Sequence, residues 1–150
     1  MDHLLARRLR CVSVLDVSGA ALDRARARLG EKAAQVRWIE ADVTESWTAP
    51  AMDIWHDRAV FHFLTEARDR SLYVAHVRDV LKPNGTVIIG TFALDGPERC
   101  SGLPVRRYDA AGIAAELGDG FRLVETVLES HRTPAGTVQK FSYSRLVHDV

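Results

Sequence analysis

Short β-branched runs alternate with alanine-, leucine- and arginine-rich stretches through most of the chain, and this alternation limits its fold more than any other feature. Residues 11–17, Cys-Val-Ser-Val-Leu-Asp-Val, read as a strand that stops at Ser18-Gly19. The following ALDRARARLG favours helix until Gly30 ends it. Residues 35–39 are strand-like, 44–50 read as loop, and 52–55 as a further short strand. Residues 65–81 carry the clearest helical pattern, with Tyr73, Val74, Val77, Val80 and Leu81 on one face; Lys82-Pro-Asn-Gly85 then predicts a turn. Residues 86–92 return as a buried strand. Ahead of all this, residues 2–10 read as the tail of a helix, with Leu4, Leu5 and Leu9 on one side and Arg7, Arg8 and Arg10 in water.

The pattern changes after residue 92. Gly96, Pro97, Gly102 and Pro104 mark residues 93–107 as a long loop of the kind that often covers a site. Asp109 is placed to cap a helix to Leu117. Residues 121–130 and 138–147 then read as two strands joined through Thr133-Pro-Ala-Gly136. The order implies an α/β fold: a doubly wound, mostly parallel sheet with helices on both faces and an antiparallel hairpin at its end. Ligands of such sheets lie at the carboxyl ends of the strands. Chemistry is therefore expected at Asp16 with Val17 and Ser18, at Asp42 with Val43, and at His56-Asp57-Arg58.

Composition narrows the function. With 150 residues, 47% of them hydrophobic, the chain is expected to form a single domain over 1–150. Twenty basic residues against twenty acidic ones give no bulk attraction to nucleic acid or anionic lipid. No apolar run approaches the ~18 residues of a membrane span, and Met1-Asp2-His3 lacks a basic-then-apolar signal pattern, so a cytoplasmic location is expected. Cys11 and Cys100 form no C-x-x-C pair and are expected as free thiols; Cys100 either faces a site under the long loop or is merely tucked beneath it. Six scattered histidines without His-x-x-x-His spacing point away from a metal. Arg24, Arg26 and Arg28 read as a solvated helix face, partly paired with Asp23 and Glu31.

A run of motifs resembles the class I S-adenosylmethionine-dependent methyltransferases over nearly the whole chain. VLDVSGAALDRARARLG is similar to that family's second strand and following helix, and WIEADV to its third strand and loop. MDIWHDRAVFHFL resembles the fourth strand and its substrate-facing exit, and HVRDVLKPNGTVIIGTF the next helix, turn and fifth strand. The resemblance implies S-adenosylmethionine as cofactor, with Asp16 on the ribose hydroxyls, Asp42 on the adenine amino group, Val17 packing on the adenine face and Val43 giving a backbone contact and apolar packing. A ribose diol and an exocyclic amine are both donors, and short acids at strand ends are suitable acceptors. It also implies His56, Asp57 and His62 as titratable groups near the methyl acceptor, walled by Trp55, Phe61 and Phe63, the acceptor being a small molecule or a side chain. Asp57-Arg58-Ala59 resembles a step seen in thiopurine- and some lysine-methyltransferase-like members.

Each residue also has a structural alternative: Asp16 as a helix cap, Asp42 as a loop acid bonded to its own backbone, His56 and His62 as structural histidines, and Asp57 as a local ion pair with Arg58. The family's first strand and glycine-rich loop have no counterpart in this sequence, which implies that they lie upstream. That strand lies between the second and fourth. Since neighbouring strands sit ~4.8 Å apart, its loss implies a gap of about 10 Å or direct pairing of the two flanking strands, and with it low stability and weak cofactor binding. The alternative to an enzyme is a catalytically inactive methyltransferase-like domain acting as an interaction module. A nicotinamide-dependent reductase would need Gly-x-Gly-x-x-Gly after its first strand, which is not seen.

Overall fold

The computed structural model describes residues 2–7, 9, 11–133 and 136–149. They fall into two compact units, Met1–Ala49 and Pro50–Val150.

In the first unit, α1 (Asp2–Ala6) is shorter than the helix expected to residue 10: Arg7 is already in a turn, its N–H donating to the Leu4 carbonyl at 3.2 Å. Arg8 and Arg10, expected on its polar side, lie outside the described residues. β1 (Val12–Asp16) pairs in parallel with β2 (Val36–Glu40), from Val12 opposite Val36 to Asp16 opposite Glu40. Between them runs α2 (Gly19–Leu29). Ser18 caps its start, the hydroxyl accepting from Ala21 N–H at 3.2 Å, and Gly30 ends it at φ 55°, a conformation that favours glycine. A 3-10 turn, Gly30–Gln35, which the sequence pattern does not announce, leads into β2. Val12, Leu29 and Val36 form the buried centre, with Leu5, Val14, Ala33 and Trp38 packed around it. On the arginine row, Arg26 pairs with Asp23 at 2.7 Å and lies 5.0 Å from the Trp38 ring.

The second unit is built on a four-stranded sheet. β3 (Met52–Arg58) and β4 (Leu81–Phe92) run parallel, and the hairpin of β7 (Phe121–Arg132) and β8 (Val138–His148) joins antiparallel, giving the order β3-β4-β8-β7. The last strand is thus inserted beside β4, and β7 lies outermost. The expected turn at residues 82–85 survives inside the bounds of β4. The register jumps from Met52 opposite Leu81 to Ile54 opposite Thr86, and Asn84 takes φ 59°. A β3 longer than expected is followed by a 3-10 turn, Phe61–Phe63, then α3 (Ala67–Val80). The long loop carries a small ladder of β5 (Arg99–Cys100) with β6 (Leu103–Pro104), turned by Ser101 and Gly102 at φ 49° and 82°. α4 (Ala110–Leu117) begins at Asp109, whose carboxylate accepts from Gly112 N–H at 2.8 Å, as its position predicts. Pro134 and Ala135 of the expected hairpin turn lie outside the described residues, and Gly136 N–H to Thr133 O at 2.8 Å helps close it.

Tyr73 and Val77 of α3 and Ile113 and Leu117 of α4 are buried, as are Val87 and Ile89 of β4 and Leu146 of β8. Arg70 ties the two helices: its Nε donates to Glu116 at 2.9 Å and its Nη1 to the carbonyls of Leu64 and Thr65. No helix among the described residues is long and apolar enough to cross a membrane.

Candidate functional site

The first unit brings Asp16 and Asp42 to one edge. Asp16 ends β1, and its carbonyl accepts from Ala41 N–H at 3.2 Å, so the strands stay paired to their carboxyl ends and Asp42 follows one residue later. Each carboxylate is oriented by its own turn through one oxygen. Asp16 Oδ1 accepts from Ser18 N–H at 2.8 Å; Asp42 Oδ1 accepts from Thr44 N–H at 2.8 Å and Thr44 Oγ1 at 2.7 Å. These bonds from Thr44 hold the Asp42 carboxyl below its ordinary pKa, so it is ionised at neutral pH. Oδ2 of both residues has no partner among the described residues. The loop-bonded alternative raised for Asp42 is thus a real interaction, whereas Asp16 bonds the N–H of Ser18, the residue that caps α2, and is not itself the cap; each bond uses only half of the carboxylate.

Val17 stands beside them with 69% of its surface exposed. Val43 differs: its side chain is buried and its carbonyl accepts from Trp47 Nε1 at 3.3 Å, so its apolar packing is within the protein. Glu40, opposite Asp16, is a third acid on this edge that the sequence reading passed over. Its carboxylate lies so close to Gly19 that a Cβ there would stand 2.7 Å from Oε1. The available signal was the pattern Glu40 shares with Asp16, an acid at the end of a short strand-like run.

In the second unit the three titratable candidates separate by side of the sheet. Alternation along β3 puts His56 and Arg58 on one face and Asp57 on the other. Asp57 is 5% exposed, and its carboxylate accepts from Tyr73 Oη at 2.7 Å and from the N–H groups of Val60 and Phe61 at 3.0 Å each. It does not pair with Arg58, whose Nε donates to Tyr143 Oη at 2.7 Å. Burial pushes the Asp57 carboxyl up against the opposing pull of these donors, and burial also raises Tyr73 well above its ordinary value. This cluster fixes the exit of β3 against α3. Trp55 extends it, donating through Nε1 to Tyr73 Oη at 2.7 Å.

His62 is fully buried, with Nδ1 accepting from Phe92 N–H at 3.4 Å and Nε2 lacking a partner among the described residues. Burial lowers its pKa to about 4, which keeps it neutral. His56 alone of the three is exposed; its imidazole is held below the ordinary value chiefly by partial loss of water and then by nearby positive charge, Arg58 included. Of the expected walls, Phe61 is buried under Tyr73 and Tyr108, while Phe63 is half-buried against His62. Beyond the end of β4, a groove of about 460 Å³ opens between Leu94, residues 106–109 and α4, with Tyr108 and Arg106 both on Glu116. Cys11 and Cys100 are free thiols, the first exposed and the second half-buried.

Parallel strand pairs joined through helices, with a closing antiparallel hairpin set beside β4, are the elements of an α/β methyltransferase fold. The chain is similar to N-methyltransferase NodS from Bradyrhizobium japonicum, at 18% identity and TM-score 0.72, covering 92% of this chain and 73% of that one. It is likewise similar to a methyltransferase from Methanosarcina mazei (12%, TM-score 0.75, covering 100% and 87%). A third likeness is to 1,6-didemethyltoxoflavin-N1-methyltransferase from Burkholderia thailandensis (21%, TM-score 0.75, covering 99% and 65%). No curated protein matches the chain. The family described as methyltransferase domain matches residues 2–85, more than half of the sequence, and the chain belongs to that family.

Proposed function

We propose that both units form one methyltransferase domain over 1–150, acting in the cytoplasm to move a methyl group from S-adenosylmethionine to a small molecule or a side chain. The observation that carries this reading is the pair of strand-end carboxylates, each anchored through Oδ1 with Oδ2 left over, on one edge of one parallel sheet. Asp16 accepts from the ribose hydroxyls, Asp42 accepts from the adenine amino group, and exposed Val17 covers an apolar ring face. The donor set fits the nucleoside: two ionisable acceptors for donors, and an apolar surface beside them.

S-adenosylmethionine supplies a methyl group on a sulfonium that is already a good leaving group. The chain's own task is to position the acceptor and exclude water. Asp57 serves as a positioning residue, its carboxylate fully occupied in shaping the β3 exit, and neutral His62 packs against Phe92. His56 is the remaining group able to take a proton from an acceptor that must lose one. The bonded carboxylate of Asp57 and the full burial of His62 favour an acceptor that reacts without them as bases.

Calorimetric titration tests this. Asp16→Ala should weaken S-adenosylmethionine binding at least tenfold, and His56→Ala should leave it unchanged. Equal affinity of parent and Asp16→Ala would remove the assignment.

A further inference from the structure

Arg58 sits at the carboxyl end of β3 in a setting that neither the cofactor nor the acid–base candidates use. Its Cα partner on β4 is Gly90, whose own partner on β8 is Tyr143. The Tyr143 ring fills the space left by the absent side chain, since a Cβ on Gly90 would stand 2.4 Å from the ring edge. From there Tyr143 Oη accepts from Arg58 Nε at 2.7 Å, and the Phe141 ring lies 4.7 Å beneath the guanidinium carbon. The next residue, Ala59, takes φ 64° with its N–H donating to Gly90 O at 2.8 Å, so the chain turns away abruptly after Arg58.

A hydrogen bond and a cation–π contact together hold an exposed arginine in place. Such a side chain ordinarily keeps its rotamer freedom in water, and its fork is effective in recognition when held in advance. With Nε occupied, the end-on edge of Nη1 and Nη2 has no partner among the described residues. The neighbouring carboxylate cannot neutralise it, because Asp57 points to the opposite face and is bonded there. His56 shares the face of Arg58 by strand alternation.

We infer that Arg58 is a specificity-determining residue that receives an oxyanion, a carboxylate or a phosphoryl group, of the methyl acceptor. Two parallel N–H···O bonds from the Nη1–Nη2 edge match either group. The inference rests on the proposed methyltransferase reading for its link to the acceptor, because that reading makes the carboxyl end of β3 the place where the acceptor sits.

The test uses the full chain with 15N-labelled arginine, titrated with benzoate, phenyl phosphate and the neutral benzamide, with and without S-adenosylhomocysteine. Benzoate or phenyl phosphate should shift the Arg58 Nε–H signal saturably, the tighter one naming the preferred group, and benzamide should not. In the variants the same anion is titrated calorimetrically, and Arg58→Gln should abolish its binding. Arg58→Lys, which keeps the charge without the fork, and Tyr143→Phe, which keeps the ring without the hydroxyl, should each weaken it at least fivefold. No shift with either anion, an equal response to benzamide, or undiminished anion binding by folded Arg58→Gln would overturn the inference. Loss of S-adenosylhomocysteine binding with anion binding intact would instead remove the methyltransferase reading and leave the anion site standing.

Discussion

A buried imidazole that stays neutral links one residue of the second unit to the pH dependence of its stability. His62 carries a pKa of about 4 when folded because burial penalises its charged form, whereas an unfolded histidine titrates near its ordinary value of 6.5. Between those values the unfolded chain binds a proton that the folded chain refuses. Stability therefore falls as pH drops from about 6.5 toward about 4, by up to roughly 1.4 kcal/mol per pH unit from this group. Asp57 acts in the opposite sense: its raised carboxyl takes up a proton in the folded state first, and stability rises as pH falls through that folded value toward 3.8. Denaturant melts of parent and His62→Asn between pH 7 and 5 separate the two. The parent should lose more stability than the variant over that range, and parallel pH profiles would count against a neutral His62. A structural His62 was one of the two readings open in the sequence, but the role of Asp57 was not legible there. Asp57 reads as a surface partner of Arg58 until the fold brings Tyr73, sixteen positions away, onto its carboxylate.

Strand pairing decides what the β4–β8 ladder can accept. Gly90 lies in a stretch that the sequence reads as a buried strand, and its missing side chain is the seat of the Tyr143 ring. Gly90→Ala forces the ring off that seat, an overpacking change of typically 1–3 kcal/mol. It should also move Tyr143 Oη away from Arg58, so a chemical denaturation curve should show the loss in stability and the Arg58 Nε–H signal should shift in the same variant. An unchanged denaturation midpoint would mean that the ring has room elsewhere. The elements themselves were largely readable: α2, α3, α4 and the closing hairpin follow from periodicity, caps and turn residues. The β5–β6 ladder, the two 3-10 turns and the early end of α1 were not, because runs of two to six residues carry no period. Asp16 stands out in the sequence because an acid closing a short β-branched run is a local pattern, whereas Asp42, two residues beyond the end of β2, stands out only through the motif resemblance. The Arg58–Tyr143 contact spans 85 positions and leaves no local trace.

At the scale of the whole chain, the two units differ in how their sheets are built, and that difference predicts where a cofactor will be felt. β1 and β2 form a two-stranded parallel sheet, an arrangement only marginally stable without further packing, whereas β4 has strand partners on both sides. Amide exchange should accordingly be faster over Val12–Asp16 than at Val87, Ile89 and Thr91, since local opening follows local contact density. A ligand that binds only the closed form raises the free energy of opening by RT ln(1 + [L]/Kd), about 2.7 kcal/mol at a hundredfold excess over Kd. If Asp16 and Asp42 hold the nucleoside, saturating S-adenosylmethionine should slow exchange most at Ser18 and Thr44, whose N–H groups orient those carboxylates, and along the β1–β2 ladder. In Asp16→Ala, the same ligand concentration should protect the ladder less, by about 1.4 kcal/mol for each tenfold loss of affinity. Hydrogen exchange read by NMR distinguishes this from general stabilisation: slowing confined to the β4–β8 ladder, or spread evenly over both sheets, would show that the nucleoside is not gripped at the β1–β2 edge.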